Sequence, residues 1–309
     1  MRVAVLKGGR SLERQVSLRS GAQVEDALAR LGHEAVPIDV GASFVRRVRE
    51  VEPDVAFIVL HGTDGEDGSV QELLDVMGIP YTGSRPAACR RCWNKIDAKL
   101  EMRRAGLPTP DFAWFSRTAF AELGAGDALD AAAERLGMPL VVKPARQGSS
   151  LGVRFVAAPA ELPGALVSAF AYDSSVLLET FVAGRELAVS IVDGEPLPVV
   201  EAIPLDAGAY DFEARYEIGR TRFECPADLD LADAARARDV ALKAWQTLDC
   251  EGLARVDLLL DPAAGDVTVL EVNVVPGMTE TSLLPQAADA AGIPFDALVG
   301  RLLASAANS

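Results

Sequence analysis

The sequence predicts an α/β protein whose N-terminal part is a doubly wound parallel sheet. Three observations carry this. Short apolar runs alternate with helix-period segments through the first eighty residues, the pattern of strands joined by helical crossovers. At 309 residues, 50% hydrophobic and 24% charged, the chain is globular and exceeds one ordinary core, so two or three domains are expected. No apolar run reaches bilayer-spanning length, and MRVAVLKGGR opens on a strand pattern rather than a signal peptide, so a soluble, cytoplasmic protein with no membrane partner is expected.

The elements follow in order. RVAVLKGG (2–9) reads as a buried strand ending in a glycine turn, and 17–31 as an amphipathic helix. EAVPIDV, AFIVLHG and IPYTG read as strands, with helix QELLDVMG between the last two. Ligands of such sheets sit beyond the carboxyl ends of the strands, which directs attention to Gly8–Glu13 and to His61-Gly62. A new region begins near residue 90. It holds a helix over 93–105 ended by GLPTP, strand FAWFS, a helix over 127–136 and strand PLVVKP (139–144). The loop ARQGSSLGV, strand RFVAA and a helix over 160–170 complete it. After strand SVLLETF, ELAVSIVDG and EPLPVVEAIP form a hairpin turning at Asp193-Gly194. A polar loop (206–224), a helix over 231–248 and a last hairpin over 253–273 follow.

The net charge of −15 excludes a large nucleic-acid footprint, which needs Lys and Arg to displace counterions. Any polyanionic ligand must be held by a few local cations or by metal against this field. Cys89-x-x-Cys92 lacks a second such pair or neighbouring histidines, so the four cysteines read as reduced structural thiols rather than a metal or redox site. His33 and His61 are the only histidines. His61 reads as a hydrogen-bonding residue near the site or as an ordinary loop histidine.

The last hairpin, LARVDLLLDPAAGDVTVLEVN, is the most informative segment. A five-residue loop (262–266) would pair Asp261 with Val267, setting Asp257 opposite Glu271 and Arg255 opposite Asn273 on one face. Val256, Leu258, Leu260, Leu270 and Val272 then form the core face. Two carboxylates and an amide supply the oxygen ligands of Mg²⁺, which takes one or two carboxylates plus substrate phosphates. An exposed polar strand face is the other reading, and a one-residue slip would dissolve the constellation.

Around it stand three further motifs. Lys143-Pro-Ala-Arg-Gln-Gly-Ser149-Ser150-Leu-Gly152 is no Walker A loop, yet its backbone amides and hydroxyls suit phosphate; an ordinary hairpin loop is the alternative. Glu179 and Glu186 flank a strand end, where a carboxylate can accept from a ribose hydroxyl or an adenine amine, although solvated loop glutamates would look the same. Pro276-Gly277 brings backbone close to whatever lies beyond the hairpin, so its N–H can serve an oxyanion; a plain turn is the alternative.

Read together, these motifs resemble those of the D-alanine–D-alanine ligases of the ATP-grasp superfamily. The resemblance runs nearly end to end, through GGRSLERQVSL (8–18), LHGTDGEDGSVQ (60–71), IPYTGS (79–84), NKIDAK (94–99), GLPTP (106–110), KPARQGSSLGV (143–153), DFEARY (211–216), CPADL (225–229), RVDLLLD (255–261) and EVNVVPGMTETSL (271–283). It implies a three-domain ATP-grasp fold. The N-terminal α/β domain (1–90) lies on the first-substrate side. The central subdomain (91–180) carries the phosphate loop, and the C-terminal subdomain (181–309) carries the metal site and a lid loop. The implied reaction joins two D-alanines through a D-alanyl phosphate, for peptidoglycan precursor synthesis, with ATP as substrate, two Mg²⁺ (or Mn²⁺), a homodimeric state and no nucleic-acid partner.

The resemblance also implies roles. Glu13 would hold the first substrate's ammonium, with Ser149 and Tyr216 as its hydrogen-bonding partners over the site. Lys95 and Lys143, with Ser149, Ser150 and Arg215, would bind phosphate. Glu179, the backbone of Phe181 and Val182, and Glu186 would receive adenine and ribose. Asp257, Glu271 and Asn273 would hold metal; Arg255 and the Gly277 N–H would face the oxyanion. Ser282 and Leu283 would receive the second substrate, with His61 at the substrate side. Arg215, Asn94 and Val274-Val275 depart from the family pattern beside the chemistry, and a guanidinium at 215 is no point ammonium. Three alternatives remain: a D-lactate or D-serine ligase (Tyr216 favours D-alanine over D-lactate), another carboxylate–amine ligase, and an inactive nucleotide-binding relative.

Overall fold

The computed structural model describes residues 1–204 and 221–308, without the side chain of Asp127. It is built on three sheets. In the first, β1 (Arg2–Lys7) is flanked by β2 (Glu34–Asp39) and β3 (Val55–Ile58), all parallel. Alternation along β1 explains the two buried faces. Val3 and Val5 pack under α1 (Arg14–Arg30) and under α11 (Phe295–Ala307) from the far end of the chain. Ala4 and Leu6 pack against α2 (Phe44–Val51) and α3 (Ser69–Met77). Helix α1 starts three residues earlier than its apolar period suggests, and IPYTG contributes only an isolated bridge, Tyr81 to Ala56.

Two helices, α4 (Pro86–Trp93) and α5 (Lys95–Arg104), lead onward. Asn94 separates them, its side chain capping α5 by accepting from Ile96 N–H at 3.2 Å. The second sheet is antiparallel, in the order β4 (Phe112–Ser116), β7 (Ser175–Thr180), β5 (Leu140–Pro144), β6 (Arg154–Val156). Its outer face is covered by α7 (Leu129–Leu136) and α8 (Leu162–Phe170), with the short α6 (Arg117–Glu122) beside β4. Leu140, Val142, Val176 and Leu178 fill that core. The alternate residues Val141, Lys143 and Glu179 face the other way, into a cavity.

The third sheet is also antiparallel. Strand β8 (Arg185–Val192) turns through Asp193-Gly194 into β9 (Glu195–Pro196), both turn residues having positive φ as a type I′ hairpin demands. Strand β10 (Val200–Pro204) continues on β8 and pairs outward with β11 (Thr221–Glu224), which the sequence reads as the end of a polar loop. On the other edge of β8 lie β12 (Leu253–Leu260) and β13 (Val267–Asn273). Helix α9 (Leu231–Thr247) covers this sheet with Ala237, Ala241 and Ala244. Helix α10 (Leu283–Ala290) packs on β8 and on α11.

The hairpin register corrects the sequence reading at the turn and agrees with it at the site. Val267 pairs with Leu260, not Asp261, so six residues separate the strands. A β-bulge between Asp257 and Leu258 then shifts the register by one, after which Asp257 faces Glu271 and Arg255 faces Asn273. Leu270 is the extra residue: it is half-buried and lines the cavity, and Val269 takes the core place expected of it. Among the described residues no single helix is long and apolar enough to cross a membrane.

Candidate functional site

A cavity of about 600 Å³ lies between the second and third sheets and reaches the carboxyl ends of the first. Every sequence-predicted site residue among the described ones lines it. Arg215 and Tyr216 lie outside the described residues.

The third sheet supplies the floor. Asp257 receives two hydrogen bonds from Arg255, 2.7 Å from Nε and 2.8 Å from Nη2. Burial and the facing Glu271 push the Asp257 carboxyl up, against the pull of Arg255. Burial would also raise Glu271, but Lys95, Lys143 and Arg255 outweigh it and lower that carboxyl to about 2. Asn273 turns its Oδ1 toward the chain, accepting from Val275 N–H at 3.0 Å. Two carboxylates and an amide oxygen on one half-buried surface form a hard donor set. Among the described residues no three His, Cys, Asp or Glu side chains converge into a closed cage. This fits Mg²⁺, which keeps places for substrate phosphates, better than a cation held by protein alone.

The second sheet supplies the roof. Lys143 and Glu179 are diagonal neighbours on β5 and β7, and pair at 2.7 Å. The sequence reading set Glu179 as an acceptor for adenine; its two oxygens lie at 2.8 and 2.7 Å from Lys99 and Lys143, with the residue 3% exposed. Burial would raise its carboxyl, yet the two ammoniums hold it below the usual range. Lys99, fully buried, is lowered to about 8, chiefly by burial and despite Glu179. It also donates to Thr109 Oγ1 at 2.6 Å. Lys95 stands at the start of α5, where its backbone N–H donates to Ala145 O. Its ammonium reaches Gln147 O at 2.6 Å and Glu271 at 3.2 Å, tying helix, loop and floor together.

The Gly/Ser-rich loop is anchored at its root by Arg146, whose backbone N–H, Nε and Nη2 all donate to Asp173. At its tip Ser149 and Ser150 both adopt left-handed backbone, φ 47° and 54°, at about 1–2 kcal/mol per residue. Ser149 donates its hydroxyl to Glu13 across the cavity. Burial and the Glu66 carboxylate push Glu13 up, while Ser149, His61 and Lys95 act in the opposite direction. A carboxylate in that setting is short of a cation.

At the hinge between the two sheets, Phe181 N–H is already given to Pro139 O at 3.1 Å. Its ring packs edge-on against Phe155. Glu186 lines the cavity from β8. His61, expected at the substrate, has both ring nitrogens engaged, Nδ1 with Val275 O at 2.9 Å and Nε2 with Ser20 Oγ at 3.2 Å. It lines the cavity wall with both nitrogens held by these neighbours. Ser282 accepts from Thr279 N–H at 3.1 Å at the start of α10, and an ideal Cβ on Gly277 would stand 2.5 Å from its Oγ. A side chain at 277 would therefore displace the Ser282 hydroxyl.

Sequence reasoning missed Lys99, Glu66 and Ser20. Lys99 and Glu66 sit inside motifs it used, NKIDAK and LHGTDGEDGSVQ, but nothing in the spacing separates them from solvated charges. Cys92 and Cys250 lie 3.6 Å apart in the core with Cys89 near, and all are buried free thiols, as expected of structural cysteines.

Comparison with known proteins agrees with this geometry. Residues 44–84 match the family model for the D-ala D-ala ligase N-terminus, and 102–304 that for the D-ala D-ala ligase C-terminus. D-alanine–D-alanine ligase of Syntrophotalea carbinolica is 42% identical over 305 residues, covering 99% of this chain and 96% of the relative. That of Geobacter sulfurreducens is 44% identical over 306 residues, covering 99% and 94%. The crystal structure of the Bacillus anthracis D-alanine–D-alanine ligase complexed with ATP superposes with a TM-score of 0.83 at 34% identity, covering 100% of this chain and 98% of that one. The VanG D-Ala:D-Ser ligase from Enterococcus faecalis gives 0.83 at 26% identity, covering 98% of each. The three-sheet α/β architecture is that of the ATP-grasp ligases, and the chain belongs to the D-alanine–D-alanine ligase family.

Proposed function

We propose that this protein joins two D-alanines into D-alanyl-D-alanine at the expense of ATP, for peptidoglycan precursor synthesis. The observation that carries the proposal is one cavity holding a cation-seeking Glu13 at one end and Lys95, Lys143, Arg255 and a hard-oxygen donor set at the other. A free carboxylate is a poor acyl donor because its leaving group is oxide. In the first step a carboxylate oxygen of the first D-alanine attacks the γ-phosphorus, the bond to the bridging oxygen breaks, and ADP leaves with the electron pair. In the second, the amine of the other D-alanine, having lost a proton, attacks the acyl carbon. The bond from that carbon to the phosphate oxygen then breaks, releasing phosphate.

This chain's residues position and neutralise. Glu13 holds the first ammonium, with Ser149 fixing its carboxylate. Lys95 and Lys143 neutralise the phosphates, while Ser149 and Ser150 bring the loop over them. Phe181, Val182 and Glu186 line the nucleoside end, and Glu179 acts one step back, as the anchor of Lys143. Arg255 and the Gly277 N–H stabilise the oxyanion, and Ser282 and Leu283 receive the second substrate. Asp257, Glu271 and Asn273 would hold two Mg²⁺ or Mn²⁺, which supply further neutralisation of phosphate charge when bound. Arg215 and Tyr216 lie outside the described residues, and the resemblance alone assigns them to phosphate and to the hydrogen-bonded group with Glu13 and Ser149. A cytoplasmic homodimer completes the proposal.

The test is ADP release with ATP and Mg²⁺ across D-alanine, D-serine and D-lactate, with products identified by mass. D-alanyl-D-alanine is expected to dominate when all three compete near neutral pH. Preferential formation of D-alanyl-D-serine or the depsipeptide would overturn the choice of second substrate. ATP binding without D-alanine-dependent phosphate release would overturn the reaction itself. Sedimentation at micromolar concentration tests the dimer.

A further inference from the structure

The turn that carries Gly277 is gripped from the N-terminal sheet. Ser20 lies on α1, fully buried, 258 positions away in sequence from Met278. Met278 N–H donates to Ser20 Oγ at 3.2 Å. Ser20 Oγ also lies 3.2 Å from His61 Nε2, and His61 Nδ1 lies 2.9 Å from Val275 O. A carbonyl only accepts, so Nδ1 donates to Val275 O, and in the tautomer with its single proton there Nε2 accepts from Ser20. The chain then has one direction: Met278 N–H to Ser20, Ser20 O–H to His61, His61 N–H to Val275. Each donor and acceptor in it is used once. Its two ends close on residues 275 and 278, bracketing Pro276-Gly277, and Asn273 Oδ1 takes the Val275 N–H from the other side.

We propose that Ser20, through His61, is a positioning residue that fixes the Gly277 amide toward the reacting acyl group. This rests on the ligase reading above. An oxyanion donor works only when preorganised within a few tenths of an ångström, and a Pro-Gly turn on its own has no such rigidity. The clamp supplies it from a helix of the first sheet, so the amide is referenced to the element that also begins beside Glu13. The same chain engages both ring nitrogens of His61, which is 4% exposed.

The experiment compares steady-state kinetics and thermal unfolding of the full chain carrying Ser20→Ala, His61→Asn, both together, and Ser17→Ala. Ser17 is the matched control. It is equally buried on the same helix and makes two hydrogen bonds, accepting from Gly8 N–H at 2.9 Å and donating to Val59 O at 2.6 Å, neither of them to the turn. Ser20→Ala is expected to lower kcat for D-alanine-dependent ADP release by about tenfold or more, leaving KM for ATP within about twofold. His61→Asn keeps a donor for Val275 O but loses the Ser20 end. It is expected to lower kcat similarly, and the double variant to fall no further than the worse single, because the chain acts as a unit. Ser17→Ala is expected to lower Tm comparably while keeping kcat. Ser20→Ala with a lowered Tm but wild-type kcat would overturn the proposal, as would additive losses in the double variant. If Ser20→Ala does not fold, His61→Asn decides alone, wild-type kcat counting against. A wild-type protein that releases no ADP overturns the ligase reading and, with it, the oxyanion that the turn is positioned for.

Discussion

Gly148→Ala tests the substrate end of the cavity through a single methyl group. Gly148 is outside the left-handed region, so alanine is tolerated by the backbone. Its Cβ would lie 2.7 and 2.9 Å from the two oxygens of Glu13 and 3.1 Å from the carboxyl carbon. A relaxed carbon–oxygen contact is about 3.3 Å or longer, so the carboxylate must retreat by roughly 0.6 Å. It is the free end of a flexible side chain, so it moves in preference to the loop. An ammonium first held at about 2.8 Å would then sit near 3.4 Å. At an effective dielectric constant of about 20 this weakens the attraction by about 1 kcal/mol. The Ser149 hydroxyl also loses its partner. KM for the first D-alanine is therefore expected to rise about fivefold, with KM for ATP unchanged and Tm within about 2 °C. ADP release at saturating ATP over a D-alanine titration, with thermal unfolding alongside, measures both. An unchanged KM for D-alanine would refute the placing of Glu13 on the ammonium. A large fall in Tm with intact kinetics would show that the backbone yields instead.

Three other perturbations bear on the charges. Glu66→Gln removes the carboxylate that pushes Glu13 up, so Glu13 should ionise at lower pH; the acid limb of kcat/KM for D-alanine is expected to move down, and a limb that stays put would remove Glu13 from that limb. Asp257→Ala and Glu271→Ala should each cost about a hundredfold in kcat and raise the Mg²⁺ needed for half-maximal rate, and chelation should abolish wild-type activity until Mg²⁺ or Mn²⁺ is restored; near-normal turnover in both variants would contradict the metal assignment. Lys99→Met tests burial. Lys99 releases its proton near 8 when folded and near 10.4 when unfolded, so the unfolded chain holds more protons between those values and stability rises with pH there. The variant lacks this slope. Relative to wild type it should lose up to about 2 kcal/mol between pH 7.5 and 9.5, read as the difference in urea midpoints, and a pH-independent difference would refute the buried charge.

The ion pairs also explain how a chain of charge −15 can receive a polyphosphate. Lys95 is paired with Glu271, Arg255 with Asp257, and Lys143 with Glu179. Each pair is locally neutral, which relieves the several kcal/mol that an unpaired buried ion would cost. Lys99 breaks the symmetry. It shares Glu179 with Lys143, so that cluster carries two ammoniums for one carboxylate. On the proposed reading, the surplus positive charge offered to the phosphates thus comes from a fully buried lysine, set behind a carboxylate that faces Lys143. Its lowered proton affinity is the cost of that arrangement, offset in part by Thr109 and the face of Phe112.

How far the sequence discloses the site is best judged at the last hairpin. Period-two alternation places Arg255 and Asp257 on one strand face, and it is read directly. Loop length sets the register, and there the five-residue loop is wrong by one. Had that error run the length of the ladder, Asp257 would face Leu270 and the core would receive Glu271. The bulge at Leu270 restores the polar face, and no residue there signals it, because a leucine suits either side of such a strand. The expected pairing is therefore met at 255–257 for a reason absent from the sequence argument. The same limit applies to Glu179 and His61. Their positions in the chain point correctly to the cavity, but which neighbours claim their atoms depends on Lys99 and Ser20, brought in by α5 and α1. Local pattern reports which residues face a site. Whether such a residue meets the ligand or holds another residue in place is set by contacts between elements distant in sequence, such as the one that ties Ser20 to Met278.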